Sequence, residues 1–118
     1  DIVFAENANG DILSDVGAGV VGGMGFAYSG NIGETMAVFE PIHGTAPKYA
    51  GKFVVNPIAS IMAAKMMFDY LGEKEMAGRI EKAVIDVLLE GKVRTYDLGG
   101  SSRTLEVAEA IAERLRRG

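Results

Sequence analysis

Asp11 and Asp15, four residues apart, are the first side chains of this sequence whose types and spacing could do chemistry. If the segment from Gly10 onward is helical, both carboxylates project from one face at its first turn, where a hard divalent cation could be held through oxygen. The same spacing also suits a solvated face whose acids favour the helix dipole, and spacing by itself prefers that plainer reading. The second group is the run Ile42-His43-Gly44-Thr45-Ala46-Pro47-Lys48-Tyr49-Ala50-Gly51-Lys52. Lys48 offers a point charge suited to phosphate, His43 and Tyr49 offer planar surfaces, and the backbone N–H groups of Gly44 and Ala46 could meet an anion or a base edge. His43 is the single histidine of the chain, and a lone histidine serves as a structural hydrogen-bonding residue as readily as a ligand. Long loops that mix polar groups with glycine and proline usually exist for a ligand, so the run reads as a cradle. Gly17-Ala18-Gly19-Val20-Val21-Gly22 formally fits G-x-G-x-x-G. That fingerprint needs a preceding strand whose glycine turn opens a helix, whereas these glycines fall inside a helical pattern already running, so close packing of small residues is the preferred reading.

These groups must be positioned by short elements. Ile2-Val3-Phe4-Ala5 is apolar and partly β-branched and precedes the turn formers of residues 6–10, which predicts a strand followed by a loop. Ile12, Leu13, Val16, Val20 and Val21 recur at helical intervals, predicting a helix from Asp11 to Val21 that Gly17 and Gly19 weaken. A short strand is expected within Met24 to Tyr28, inside a glycine-rich connection. Met36 to Glu40 reads as a buried strand ended by Pro41. Asn56-Pro57 gives an N-cap followed by proline, and Ile58, Ile61, Met62, Met66 and Leu71 keep helical spacing up to Gly72. Met76, Ile80, Ala83, Val84, Val87 and Leu88 define the next helix, from Glu73 to Glu90, with Gly91 as its C-terminal cap. Val93 to Tyr96 is expected to be a brief strand. A last helix starts at Thr104, with acids early and Arg114, Arg116 and Arg117 late, matching the helix dipole. The methionines at 62, 66, 67 and 76 are assigned to core filling.

Composition narrows the chemistry further. The chain has 118 residues, 48% of them hydrophobic and 24% charged, which predicts one ordinary domain rather than a disordered or fibrous chain. It has no cysteine, so a disulfide framework, a thiolate metal site and a cysteine nucleophile are excluded, and any metal must be held by oxygen or by His43. The net charge is −4 with the one dense basic cluster at the far end of the chain, so nucleic acid is not expected as a partner. No apolar run is long enough to span a membrane and no leader pattern is present, so a cytoplasmic address is expected.

Six motifs in order then carry a resemblance: Asn9-Gly10-Asp11-Ile12-Leu13-Ser14-Asp15, Val21-Gly22-Gly23-Met24-Gly25, Gly30-Asn31-Ile32-Gly33, the run from Phe39 to Lys52, Asn56-Pro57, and Arg94-Thr95-Tyr96-Asp97-Leu98-Gly99-Gly100. Together the chain resembles the decarboxylating dehydrogenases of the isocitrate and 3-isopropylmalate type, over essentially all of its length and most closely the NADP-using isocitrate enzymes. The resemblance implies a partial α/β fold of that family, one segment over residues 1–118 with few strands and three to four helices. It implies that Asp11 and Asp15 bind Mg²⁺ or Mn²⁺, which chelates the hydroxyl and carboxylate of a 2-hydroxy acid, most simply isocitrate. It implies that His43, Gly44, Thr45, Ala46, Pro47, Lys48 and Tyr49 wrap the adenosine end of a nicotinamide cofactor, that Asn56 contacts adenine, and that Lys48, Tyr49 and Tyr96 receive the 2′-phosphate of NADP. NAD-using relatives tend to carry an acid at the Lys48 position.

Two departures matter. An arginine expected four residues after Tyr96 is Gly100 here, and Asp97-Leu98-Gly99-Gly100 resembles the isopropylmalate and homoisocitrate branch. The resemblance also reaches only the C-terminal third of the family's length, without the tyrosine and lysine that serve as acid and base, so no catalytic residue is assigned and the chain alone is expected not to turn over. It is expected to form a homo-oligomer or to pair with a complementing N-terminal segment. The other readings are a 3-isopropylmalate, homoisocitrate or tartrate dehydrogenase segment, and a non-catalytic binding or scaffolding module that reuses the fold.

Overall fold

The computed structural model describes residues 2–117. In chain order the elements are α1 (Asn7–Val20), β1 (Tyr28–Ile32), β2 (Ala37–Pro41), a 3-10 turn (Pro47–Tyr49), α2 (Ile58–Tyr70), α3 (Lys74–Glu90), a second 3-10 turn (Tyr96–Leu98) and α4 (Thr104–Arg117). The mixed α/β class with four α-helices is as expected.

β1 and β2 form an antiparallel pair with Tyr28 opposite Pro41 and Ile32 opposite Ala37. α2 lies on this pair and on α3, and α3 packs in turn on α4. The core sits among the three helices: Ile58, Ala83, Val84, Val87, Val107 and Ile111 are buried together, with Phe26, Met62 and Leu115 against them. Burial of such side chains contributes roughly 1.5–3 kcal/mol each. Phe39 of β2 meets Tyr70 of α2 with ring centroids 5.5 Å apart, which fastens the hairpin to the helical layer.

The helix ends follow local chemistry. The N–H of Ile58 donates to Asn56 Oδ1 at 3.0 Å, the cap that Asn56-Pro57 predicts. α3 ends at Gly91 with φ of 65°, as its expected cap role requires. At α4 the N–H of Arg103 donates to the Glu106 carboxylate at 2.6 Å, and Arg114, Arg116 and Arg117 fill the last turn.

Six expectations are corrected. Residues 2–5 form no strand: Ile2 and Phe4 are 98% and 95% exposed, because no neighbouring strand within the chain offers a ladder. α1 begins at Asn7 rather than Asp11, so the turn-former cluster is its first turn and Asp11 lies in the second. The strand expected within Met24 to Tyr28 forms later, from Tyr28 to Ile32, after the glycines have turned the chain. Val93 to Tyr96 forms no strand and leads into a 3-10 turn. Nothing in the chain lies within 4 Å of a Cβ built on Gly17 or Gly19, so the close packing expected there is not made within this chain. Among the methionines, Met62 packs on the core but Met67 is exposed. Among the described residues, no helix is long and apolar enough to cross a membrane.

Candidate functional site

Four separate stretches of chain enclose a cavity of about 520 Å³, a size suited to a small-molecule ligand. Its walls are the glycine-rich exit from α1 (Gly22, Gly23, Met24, Gly25), the loop from His43 to Gly51, the approach to α2 (Phe53, Val55, Asn56), and the second 3-10 turn with the start of α4 (Tyr96, Asp97, Thr104). Of the nine residues expected at a nucleotide, His43, Gly44, Thr45, Ala46, Tyr49, Asn56 and Tyr96 line this one space. Pro47 and Lys48 do not line it; they belong to the 3-10 turn that carries Tyr49, and both are exposed.

The local reasons for this shape are visible. Ala46 adopts φ of 45° and starts the 3-10 turn, whose N–H groups from Tyr49 and Ala50 donate to the carbonyls of Ala46 and Pro47. The Tyr49 and Tyr96 rings meet at 6.0 Å with 33° between their planes, and Lys52 Nζ lies 5.9 Å from the Tyr49 ring centre. The neighbouring Tyr49, with some burial and the nearby Asp97, holds the Tyr96 hydroxyl above the usual phenol pKa. His43 is half-buried, with Nδ1 3.0 Å from the Gly44 carbonyl oxygen.

Asn56 is the joint of the site. It is buried, its Oδ1 caps α2, and its Nδ2 donates to Asp97 Oδ2 at 3.0 Å, closing 41 residues of chain. Gly25 must be small for this to hold: a Cβ there would stand 2.9 Å from Asn56 Cβ and 3.1 Å from Asp97 Oδ2. The Gly25 carbonyl also accepts from Ala59 N–H at 2.8 Å. Gly100 has a reason of the same kind, since a Cβ there would collide with the backbone of Arg94. No side chain of any length, arginine included, fits position 100 without a backbone shift.

Asp11 and Asp15 are both exposed on α1, whose exit supplies the glycine wall. Their oxygens suit Mg²⁺ or Mn²⁺, yet among the described residues no group of three or more acidic, histidine or cysteine side chains comes together. Two exposed carboxylates by themselves are fewer donors than such an ion takes. Reasoning on the sequence missed Phe53, Val55, Asp97 and Thr104 as cavity residues. Only Asp97 left a signal, as part of the motif after Tyr96.

The sequence profile described as isocitrate/isopropylmalate dehydrogenase matches residues 1–113. The chain belongs to that family. Its members are NAD(P)- and metal-dependent decarboxylating dehydrogenases of 2-hydroxy acids. Among similar family proteins, the isocitrate/homoisocitrate dehydrogenase of Thermus thermophilus is 58% identical over 116 residues, 98% of this chain and 34% of its own length. The 3-isopropylmalate/3-methylmalate dehydrogenase of Methanocaldococcus jannaschii is 52% identical over the same share of each. The solved isocitrate dehydrogenase of Methylococcus capsulatus superposes with a TM-score of 0.90 at 48% identity, over 93% of this chain and 33% of that one. The chain thus spans about a third of the length of the relatives it matches.

Proposed function

We propose that the chain supplies the adenosine half of the nicotinamide-cofactor site and two metal-binding carboxylates of a decarboxylating dehydrogenase whose substrate is a 2-hydroxy acid, isocitrate first. The observation that carries this reading is the convergence of the loop from His43 to Tyr49 with Asn56 and Tyr96 on one cavity, in a chain of this family. When bound, the nicotinamide would supply a hydride acceptor for the hydroxyl-bearing carbon, and a divalent ion held in part by Asp11 and Asp15 would supply a Lewis acid for the resulting 2-keto acid during loss of CO₂. The residues here bind and orient. The ring of Tyr49 and the backbone of the loop receive the base and ribose, Asn56 and Asp97 hold the floor under them, and Asp11 and Asp15 offer two of the roughly six oxygens such an ion requires.

NADP is the preferred cofactor in this reading. Lys48 is an exposed cation next to Tyr49 in the chain, and Tyr96 lines the cavity with a phenol, so a 2′-phosphate there would meet one charge and one phenol. The glycine at position 100, where a Cβ would collide with the Arg94 backbone, leaves a 2′-phosphate one cationic partner fewer, so the preference for NADP rests on Lys48. Other members of the substrate class, 3-isopropylmalate, homoisocitrate and tartrate, are read by parts of the enzyme outside this chain.

The test is calorimetric titration of the chain with NADP and NAD, with and without Mn²⁺. NADP should bind more tightly than NAD, and Lys48→Ala should weaken NADP roughly tenfold while leaving NAD nearly unchanged, as expected for the loss of one charge-assisted contact to phosphate. Equal loss for both nucleotides would remove the phosphate role of Lys48. No binding of either would overturn the cofactor site itself.

A further inference from the structure

Phe53 stands out among the cavity residues. Its backbone lies in the left-handed region at φ of 52°, which a bulky residue without a polar side chain rarely adopts. The residue is 52% exposed although it is large and apolar, and it lines the same cavity as the loop that carries Tyr49. Two hydrogen bonds hold it in place from outside: the N–H of Thr104 donates to the Phe53 carbonyl at 2.9 Å, and the Thr104 hydroxyl donates to the Val55 carbonyl at 2.5 Å. The start of α4 therefore fixes both sides of residue 54 and keeps Phe53 in a conformation that its own side chain disfavours. Neither helical packing nor the core explains it, since Phe53 is not part of the buried cluster.

Resting on the cofactor reading above, we infer that Phe53 is a base-contacting residue of this cavity. Its ring supplies an apolar face for a purine, so that the heterocycle is held between Phe53 on one side and the loop from His43 to Tyr49 on the other. Both unfavourable features of residue 53 point this way. The exposed aromatic surface is covered when a planar base lies on it, and base stacking on aromatic side chains is favourable whatever the base's hydrogen-bonding edge. The left-handed backbone is held by the Thr104 hydrogen bonds while the side chain lines the cavity, and strain kept at a cavity wall is a feature of ligand sites. Phe53 would then set affinity for the base, while Lys48 sets the choice between phosphate and hydroxyl on the ribose.

The probe is adenosine 2′,5′-bisphosphate, the adenosine half of NADP alone, titrated by calorimetry into the chain and into Phe53→Ala, Phe53→Gly and Phe53→Tyr, with thermal melts of each. Phe53→Ala and Phe53→Gly should both weaken binding roughly tenfold, Phe53→Tyr should stay within about threefold of the parent, and Phe53→Gly should melt no lower than the parent because glycine adopts this φ freely. If the parent binds and Phe53→Ala binds within about twofold of it, the ring makes no contact and the inference fails while the cofactor site stands. A loss in Phe53→Gly alone would assign the effect to loop flexibility and overturn the inference in the same way. A loss in Phe53→Tyr as large as in Phe53→Ala would overturn the aromatic contact. No binding by the parent would overturn both the inference and the reading beneath it.

Discussion

A single amide, that of Asn56, serves two elements at once, because its oxygen caps α2 and its nitrogen holds Asp97 against the cavity floor. Asn56→Ala would leave the Ile58 N–H without its partner in a buried setting and release Asp97, for a cost of about 1–2 kcal/mol. Urea denaturation should show this as a lower midpoint with an unchanged slope, and no change in midpoint would mean that water replaces both bonds. Half of this role was legible in the sequence, since an asparagine before proline is a local signal that needs no knowledge of the fold. The other half was not, because the bond to Asp97 depends on where two segments 41 residues apart arrive. Phe53 was invisible for a related reason: nothing in Lys52-Phe53-Val54 marks a left-handed residue, and only the hydrogen bonds from Thr104 impose it.

Between elements, ion pairs tie helix ends together. Asp69 near the end of α2 meets Lys65 at 2.7 Å and Lys74 of α3 at 3.1 Å, while Glu90 at the end of α3 meets Lys92 at 2.5 Å and pairs with Arg114 of α4. Hydrogen bonding to Lys65 and Lys74 holds the Asp69 carboxyl below its ordinary 3.8, and hydrogen bonding to Lys92 and Arg114 holds Glu90 below its ordinary 4.5. A folded-state pKa below the unfolded one means that the unfolded chain binds protons first. The contribution is therefore fully present above those ordinary values and is lost as pH falls through the lower folded ones. Melts across the acid range should show Asp69→Asn and Glu90→Gln lowering Tm at neutral pH and converging on the parent at the acid end. A constant offset at every pH would show that the pairs do not act through charge. The helices themselves were readable because the 3.6-residue period and the capping residues are written locally. The strands were less so: β2 was placed to within one residue but is not the buried strand expected, since Met36 and Val38 are exposed and Pro41 still pairs with Tyr28, and Ile2-Val3-Phe4-Ala5 has a strand's composition and no strand to pair with among the described residues.

For the molecule as a whole, the apolar stripe of α1 governs behaviour. None of the packings that build the core involves α1, and Ile12, Val16, Val20 and Val21 are all more than half exposed, as are Ile2, Val3 and Phe4. Patches of this size mark contacts with another surface, and relatives three times longer have more chain to provide one. Sedimentation velocity should accordingly find the chain self-associating as its concentration rises, and association should weaken in Val16→Asp with Val20→Asp. A compact monomer at high concentration would refute this. The family could be read from six motifs in order, whereas the burial state of α1 could not, because an amphipathic period reports that a face is apolar without saying what covers it.

One detail of the cavity floor reaches beyond ligand contact. The first free N–H groups of α2, those of Ile58 and Ala59, donate to Asn56 Oδ1 and to the Gly25 carbonyl, both of which belong to cavity-lining residues. The opening of that helix start to solvent is therefore coupled to the state of the cavity, and ligand occupancy and the fraying of α2 become two readings of one equilibrium. These two amides act as a built-in gauge: their hydrogen–deuterium exchange would slow as the cavity fills, from a position beneath the ligand and at the edge of the hydrophobic core.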